Sequence, residues 1–259
     1  MGRLFGVKQI LGGVRSSRQS TLKYLELLIS HYLFNNLTVF NNYSGFEYFT
    51  KRGFIKRKSL VIPNCIYPLP EKRNYDEKTK ELPVNILIVS RFEYYKDYYT
   101  ALSSIKKANE TLIDKKIVLT IVGTGSEESQ IKKWVNDFSL EKITTININP
   151  ENIHDFYLEA DIFIQTSLFE GFSNSIMEAM SYSLPVIATN VGDNNILIKE
   201  GVNGFLTDVK DIDSICERIL KLVNSARTRK EMGIKGFKAI QNNFSIIKFG
   251  DSFSKLIKN

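Results

Sequence analysis

The sequence predicts an α/β fold: a doubly wound parallel sheet, preceded by a smaller unit of the same kind. Three observations predict it. From residue 84 onward, short β-branched runs alternate with stretches of helical periodicity. The runs are apolar enough to be covered on both faces, as parallel strands are. Several of them end in Gly-containing or polar loops that lead straight into a helix, the strand–loop–helix unit of such folds.

In chain order, residues 1–66 read as a strand near 8–14, a helix over about 19–34, and a strand at 37–41. A helix at 45–52 and a strand at 59–62 follow. This is too little for a complete doubly wound domain. Residues 67–82 are polar and begin near Pro68, so they read as a linker. Residues 83–243 form the larger domain. Val84-Asn-Ile-Leu-Ile-Val89 is its first strand, and residues 98–112 a helix with Leu102, Ile105 and Ala108 inward. A strand at 117–122 precedes a helix at 127–138 carrying Ile131, Trp134 and Val135. A third strand at 143–148, a short helix at 153–160, a strand at 161–166 and a helix at 174–182 follow. Strands at 185–189 and near 204–207 complete the sheet, and residues 211–243 are mostly helical. Residues 244–259 read as a terminal helix packing back toward the first domain.

Composition bounds the function. The 259 residues are 43% hydrophobic and 24% charged, ordinary for a globular protein. No run reaches the ~18 consecutive apolar residues of a membrane span. The start, Met1-Gly-Arg-Leu-Phe-Gly-Val-Lys, lacks the apolar core of a secretory signal, and Gly6 stands where a myristoylation site needs Ser or Thr. A cytoplasmic location is expected, with the inner face of the cell membrane as a place of work. Cys65 and Cys216 lack metal-ligand spacing and read as two buried free thiols. Charge is uneven: residues 1–80 hold 14 Lys and Arg against 5 Asp and Glu, the remainder 21 against 23. Lys51, Arg52, Lys56, Arg57 and Lys58 concentrate the excess. An anionic membrane surface or an anionic lipid-linked acceptor suits it, and a solvated basic face suits it equally. No nucleic-acid-binding motif accompanies the charge, so nucleic acid is not expected as a partner.

The chemistry concentrates in Glu170-Gly171-Phe172-Ser173-Asn174-Ser175-Ile176-Met177-Glu178. Two carboxylates flank a Gly-led turn into an apolar helix. Unpaired N–H groups and the positive end of the dipole at that helix start favour phosphate or sugar hydroxyls. Glu178, four residues after Asn174 on one helix face, can accept hydrogen bonds from a ribose diol. Val122-Gly123-Thr124-Gly125-Ser126 lacks the third glycine of a dinucleotide fingerprint, which disfavours a dehydrogenase; a turn eased by glycine explains it. His31, beside Leu27, Leu28 and Ile29, reads as a core or interface histidine, and His154 as structural. No Asp-x-Asp or His cluster lies in these loops to hold a metal.

Glu170 to Glu178, followed by Ala179-Met180-Ser181-Tyr182-Ser183-Leu184-Pro185-Val186-Ile187-Ala188-Thr189, Gly192 and Gly201-Val-Asn-Gly204, resembles the donor-binding domain of retaining glycosyltransferases of family 4. These are the group 1 glycosyl transferases with two Rossmann-like domains, the GT-B arrangement. Val61-Ile62-Pro63-Asn64 is similar to the family's junction between domains, with Cys65 where Gly is usual; Ser183 also replaces a frequent Gly. The resemblance implies that residues 83–243 are the second half of a GT-B fold and residues 1–66 a remnant of the acceptor domain, N-terminally incomplete. It implies transfer of a hexose from a nucleotide diphosphate sugar to a glycan or lipid-linked acceptor in cell-surface polysaccharide synthesis, without metal or other cofactor. Arg91 and Lys96 would grip the diphosphate, a guanidinium fork beside a mobile ammonium. Glu170 would face the transferred sugar, with the Gly171 and Phe172 amides, Ser173 and Asn174 beside it, and Glu178 the ribose. Gly123 would lie near the cleft, and Asn147 and Asn149 near the base, where Pro150 removes one donor. Two alternatives stay open: a truncated or split module that binds nucleotide sugar without transfer, and a nucleotide-sugar epimerase, whose motifs fit less well.

Overall fold

The computed structural model describes residues 10–15, 20–67, 83–113 and 117–258. Two parallel sheets carry the chain. The first has three strands in the order β1 (Leu11–Val14), β2 (Leu37–Phe40), β3 (Ser59–Val61). The second has six in the order β6 (Thr144–Ile148), β5 (Ile117–Gly123), β4 (Val84–Val89), β7 (Ile162–Gln165), β8 (Val186–Thr189), β9 (Gly204–Thr207). All its pairings are parallel. The linker expected at 67–82 lies, apart from Tyr67, outside the described residues, as do residues 8, 9 and 19 of the first two expected elements.

Alternation along the strands of the larger sheet explains why it is covered on both faces. Ile86 and Ile88 of β4, Leu119 and Ile121 of β5, and Ile162 and Ile164 of β7 enter one core. That core is closed by α3 (Tyr98–Thr111), α4 (Glu128–Asp137) and α8 (Ile212–Val223). Leu87, Val89, Val122 and Phe163 point the other way. There they meet α5 (His154–Glu159), α6 (Asn174–Ser181) and α9 (Ala226–Asn243). The inward residues Leu102, Ile105 and Ala108 are fully buried. Trp134 packs against the core only in part. Helix α7 (Asn194–Leu197) has four residues, too few for a periodic signal.

The smaller sheet is backed by α1 (Thr21–Ile29), which runs on into a π-helical turn Ser30–Phe34, and by α2 (Tyr43–Thr50). Its core is aromatic: Phe40, Phe49 and Phe54 lie with ring centroids 5.0 to 6.0 Å apart. His31 belongs to it. Its ring stacks on Phe54 at 4.4 Å, its Nε2 accepts the Ile55 amide at 2.9 Å, and Nδ1 meets the Thr38 hydroxyl at 2.8 Å. Burial, then Lys58, pushes its pKa down, so the neutral ring is the favoured form.

Contacts between the two units position the cleft. The Asp193 carboxylate, in the loop after β8, accepts the amides of Tyr43 (2.5 Å) and Ser44 (2.8 Å) at the start of α2. The Asn64 side chain donates to Asn174 at 2.8 Å. Ile66 pairs with Ser245 just before α10 (Ile246–Lys258), whose Phe249 and Phe253 line a cavity shared with β1. Cys216 is buried as expected, whereas Cys65, at the turn between the units, is half-buried and lines that cavity.

Helix α6 ends in a Schellman motif: the Ser183 amide donates to the Met180 carbonyl and the Leu184 amide to Ala179, both at 3.0 Å. Ser183 therefore takes a left-handed φ of 59°, which is the physical reason a glycine suits this position.

Candidate functional site

Strand order in the larger sheet reverses between β4 and β7: β5 and β6 lie to one side, β8 and β9 to the other. The crevice beyond the carboxyl ends of such a pair is where open α/β sheets hold ligands. The loops leaving β4 and β7 supply the residues.

The β4 loop turns through Tyr94–Lys96 and is stopped by Asp97, at φ 48°, which caps α3 by accepting from the Thr100 amide and hydroxyl. The β7 loop is fastened to it. The Thr166 hydroxyl donates to the carbonyls of Lys96 (3.1 Å) and Asp97 (2.9 Å), the Leu168 amide donates to the Tyr95 carbonyl (2.7 Å), and Tyr95 stacks on Phe169 at 4.8 Å. Lys96 Nζ thereby reaches Glu170 Oε1 at 2.5 Å, with both side chains only 12 to 13% exposed. Ser167, fully buried, donates its hydroxyl to the same oxygen at 2.7 Å. Arg91 is exposed at the cleft mouth and donates to the Tyr95 hydroxyl.

Glu170 is shaped from below as well. The Asp193 amide donates to the Gly171 carbonyl, and Gly192 passes so close that a Cβ on it would lie 2.4 Å from the Glu170 carbonyl oxygen. Gly123 plays the same part across the cleft: a Cβ there would sit 1.9 Å from the Ser90 carbonyl oxygen. Close approach of these loops needs glycine at both positions.

Helix α6 begins at the floor. Ser173 caps it, and buried Gln165 at the end of β7 donates to the Ser173 and Ser175 hydroxyls at 3.0 Å each. One turn on, Glu178 Oε2 accepts from the Tyr157 hydroxyl at 2.7 Å. Burial pushes the Glu178 carboxyl up; the Tyr157 hydrogen bond and His154 pull it partly back.

A cavity of about 490 Å³ gathers Arg91, Lys96, Gly123, Asn149, Glu170, Phe172, Ser173, Asn174 and Glu178. Gly171 and Asn147 are not on its wall. Gly171 faces Asn42 of the smaller unit, and Asn147 pairs with Val122 inside the sheet. Asn149 reaches the wall past the strand end at φ 45°, but its amide is already bonded to the Gly123 carbonyl at 3.2 Å. A larger cavity of about 810 Å³ opens between the units, sharing Ile153, Asn174 and Glu178 with the first. Ser167, Gln165, Tyr157 and Asp193 were not singled out from the sequence. Ser167 alone had a signal, a hydroxyl three residues ahead of Glu170. Among the described residues, no group of three or more His, Cys, Asp or Glu is placed to hold a metal ion, and no helix is long and apolar enough to cross a membrane.

A family model described as glycosyl transferases group 1 matches residues 71–239. Among curated relatives, the trehalose synthase of Pyrococcus horikoshii is 26% identical over 224 residues, 79% of this chain and 53% of that protein. The UDP-Gal:alpha-D-GlcNAc-diphosphoundecaprenol alpha-1,3-galactosyltransferase of Escherichia coli is 28% identical over 208 residues, 77% of this chain and 54% of that protein. The chain thus spans about half the length of the curated relatives it matches. Among solved structures, Anabaena HepE in complex with UDP and glucose superposes with a TM-score of 0.87 at 15% identity, over 99% of this chain and 73% of that one. Staphylococcus aureus TarM gives 0.84 at 18% identity, over 99% and 53%. At these identities the likeness establishes the fold, parallel-sheet Rossmann-like units of the GT-B kind.

Proposed function

The chain belongs to the group 1 glycosyl transferases, and from that premise we propose that it moves a hexosyl group from a nucleoside diphosphate sugar to a glycan or lipid-linked acceptor, with retention at the anomeric carbon. The observation that carries the reading is the meeting of Arg91, Lys96, Glu170, Glu178 and the start of α6 around one cavity at the strand-order reversal. The diphosphate lies against Arg91, Lys96 and the α6 N-terminus, where two cations and free amides offset its charge. Glu170 faces the sugar hydroxyls, and Glu178 accepts from the ribose.

In the transfer step the bond from the anomeric carbon to the leaving phosphate oxygen breaks. The bond to the acceptor oxygen forms on the same face, and the acceptor proton passes to the departing phosphate. Arg91 and Lys96 stabilise the negative charge that grows on that phosphate. No step requires a metal. The exposed cations Lys51, Arg52, Lys56 and Arg57 offer a face to an anionic membrane or to the phosphates of a lipid-linked acceptor. HepE was crystallised with UDP, and the E. coli relative is named for a UDP-sugar donor and a diphosphoundecaprenol-linked acceptor, which makes a UDP-hexose the first donor to try.

Transfer from radiolabelled UDP-glucose, UDP-galactose and GDP-mannose to glycan and lipid-linked acceptors tests the reading. Glu170→Ala should lower turnover more than donor affinity, and Glu178→Ala the reverse. Wild-type kinetics in both variants would sink the site assignment. The second reading is a module that binds donor without transferring; donor binding by this chain with no transfer to any acceptor offered would select it.

A further inference from the structure

We propose that Tyr157 is a positioning residue that fixes Glu178, holding one carboxylate oxygen so that the other is presented to the ribose of the donor. The inference rests on the reading of Glu178 given above. Tyr157 lies on α5, a helix with no residue among those assigned to donor binding, and is 1% exposed. Its hydroxyl donates to Glu178 Oε2 at 2.7 Å. A phenol buried this deeply requires a partner, and a carboxylate is its strongest one.

The phenol is itself held. Its ring stacks on Tyr182 with centroids 5.3 Å apart and planes 11° apart, and it also packs beside Phe163. Tyr182, four residues after Glu178 at the C-cap of α6, brings its hydroxyl within 2.6 Å of His154 Nδ1. His154 and Tyr157 thus face Glu178 and Tyr182 as two matched pairs from adjacent helices. Glu178 is the member of this group that lines both cavities and Tyr157 lines only the larger one, so Tyr157 acts from behind the carboxylate. A glutamate side chain has three rotatable bonds, and tying down one oxygen removes most of that freedom before ligand arrives. The Tyr157 bond and His154 also favour the ionised carboxylate, the better acceptor for a diol.

The test is calorimetric titration of the whole chain with UDP, ADP and GDP, followed by the 2′,3′-dideoxy form of whichever binds tightest. Tyr157→Phe keeps the ring and its packing and removes only the hydroxyl. The expected result is about tenfold weaker binding of the ribose nucleotide, no change for the dideoxy form, and no further loss when Tyr157→Phe is added to Glu178→Ala. If none of the three nucleotides binds wild type, the cleft assignment fails and this proposal with it. Undiminished binding by Glu178→Ala overturns the ribose role and likewise this proposal. If Glu178→Ala weakens binding while Tyr157→Phe does not, or weakens both nucleotide forms alike, the positioning role alone is overturned.

Discussion

Lys96 and Glu170 come from loops after different strands, 74 residues apart, yet their side chains meet at 2.5 Å and Ser167 donates to the same oxygen. Neither can then be treated as a separate contributor to catalysis. Removing Lys96 leaves a largely buried carboxylate short of its cation, and removing Glu170 frees the ammonium to leave the position proposed for the phosphate. Lys96→Ala and Glu170→Ala should each lower kcat/KM for transfer by about 100-fold or more. The double variant should fall well short of the product of the two losses, with a coupling of roughly 1–3 kcal/mol. Strict additivity across this double-mutant cycle would mean the pair does not act as a unit.

Ser183 offers the opposite kind of prediction, a gain of stability without a change in activity. It occupies the left-handed position of the Schellman motif after α6, at φ 59°, and is buried. A left-handed backbone costs an L-residue about 1–2 kcal/mol, part of which glycine returns as a larger loss of chain entropy on folding. Ser183→Gly should therefore stabilise by roughly 0.5–1 kcal/mol, visible as a Tm higher by about 2 °C, with kcat and KM unchanged. A lower Tm would show that the contacts of the serine side chain outweigh the backbone strain.

Asp193 joins the units by accepting two amides at the start of α2 while its own amide donates to the Gly171 carbonyl. The start of α2, which Asn42 caps from within its own unit, and the Glu170 loop are thus one mechanical element. Asp193→Ala should destabilise by about 1–2 kcal/mol, because it leaves two part-buried amides without their acceptor. It should also raise the donor KM, because Gly171 follows Glu170 directly. Asp193→Asn, which keeps one acceptor oxygen, should fall between the two in both thermal unfolding and KM. A drop in Tm with an unaltered KM would separate this contact between the units from the cleft.

How much of this was legible in the sequence depended on the range of the interaction. Ile86, Leu87, Ile88 and Val89 announce a doubly covered strand because neighbouring residues serve opposite faces, and the structure sends them alternately into the two cores. Arg91, Lys96 and Glu170 were legible through the family resemblance, and each follows a strand end; contacts between the two loops then bring them onto one cavity wall. Tyr157 and Asp193 were not. Their partners lie 21 and 150 residues away, and only packing of α5 on α6, or of one unit on the other, brings them together. Asn147 stands off the cavity wall for a related reason. The loop after β6 is near the cleft, but strand pairing holds Asn147 within the sheet while Asn149 escapes past its end.

Glu178 carries the last prediction, a conflict between stability and binding. Burial raises its carboxyl above the ordinary range, with Tyr157 and His154 opposing only part of the shift. A carboxyl whose folded pKa lies above its unfolded one binds protons more tightly in the native state. Its contribution is therefore most favourable below the unfolded pKa and is lost as pH rises through the folded one. At neutral pH the ionised group costs stability. Glu178→Gln keeps the shape and an acceptor for the Tyr157 hydroxyl but removes the buried charge. The variant should melt above wild type at pH 7.5, the gap closing as pH falls toward 4, while its affinity for a ribose nucleotide drops about tenfold. Melting curves at four or five pH values, set beside titrations at pH 7.5, measure both. A gap that stays constant or widens on acidification would show that the ionised carboxylate is not what costs stability there.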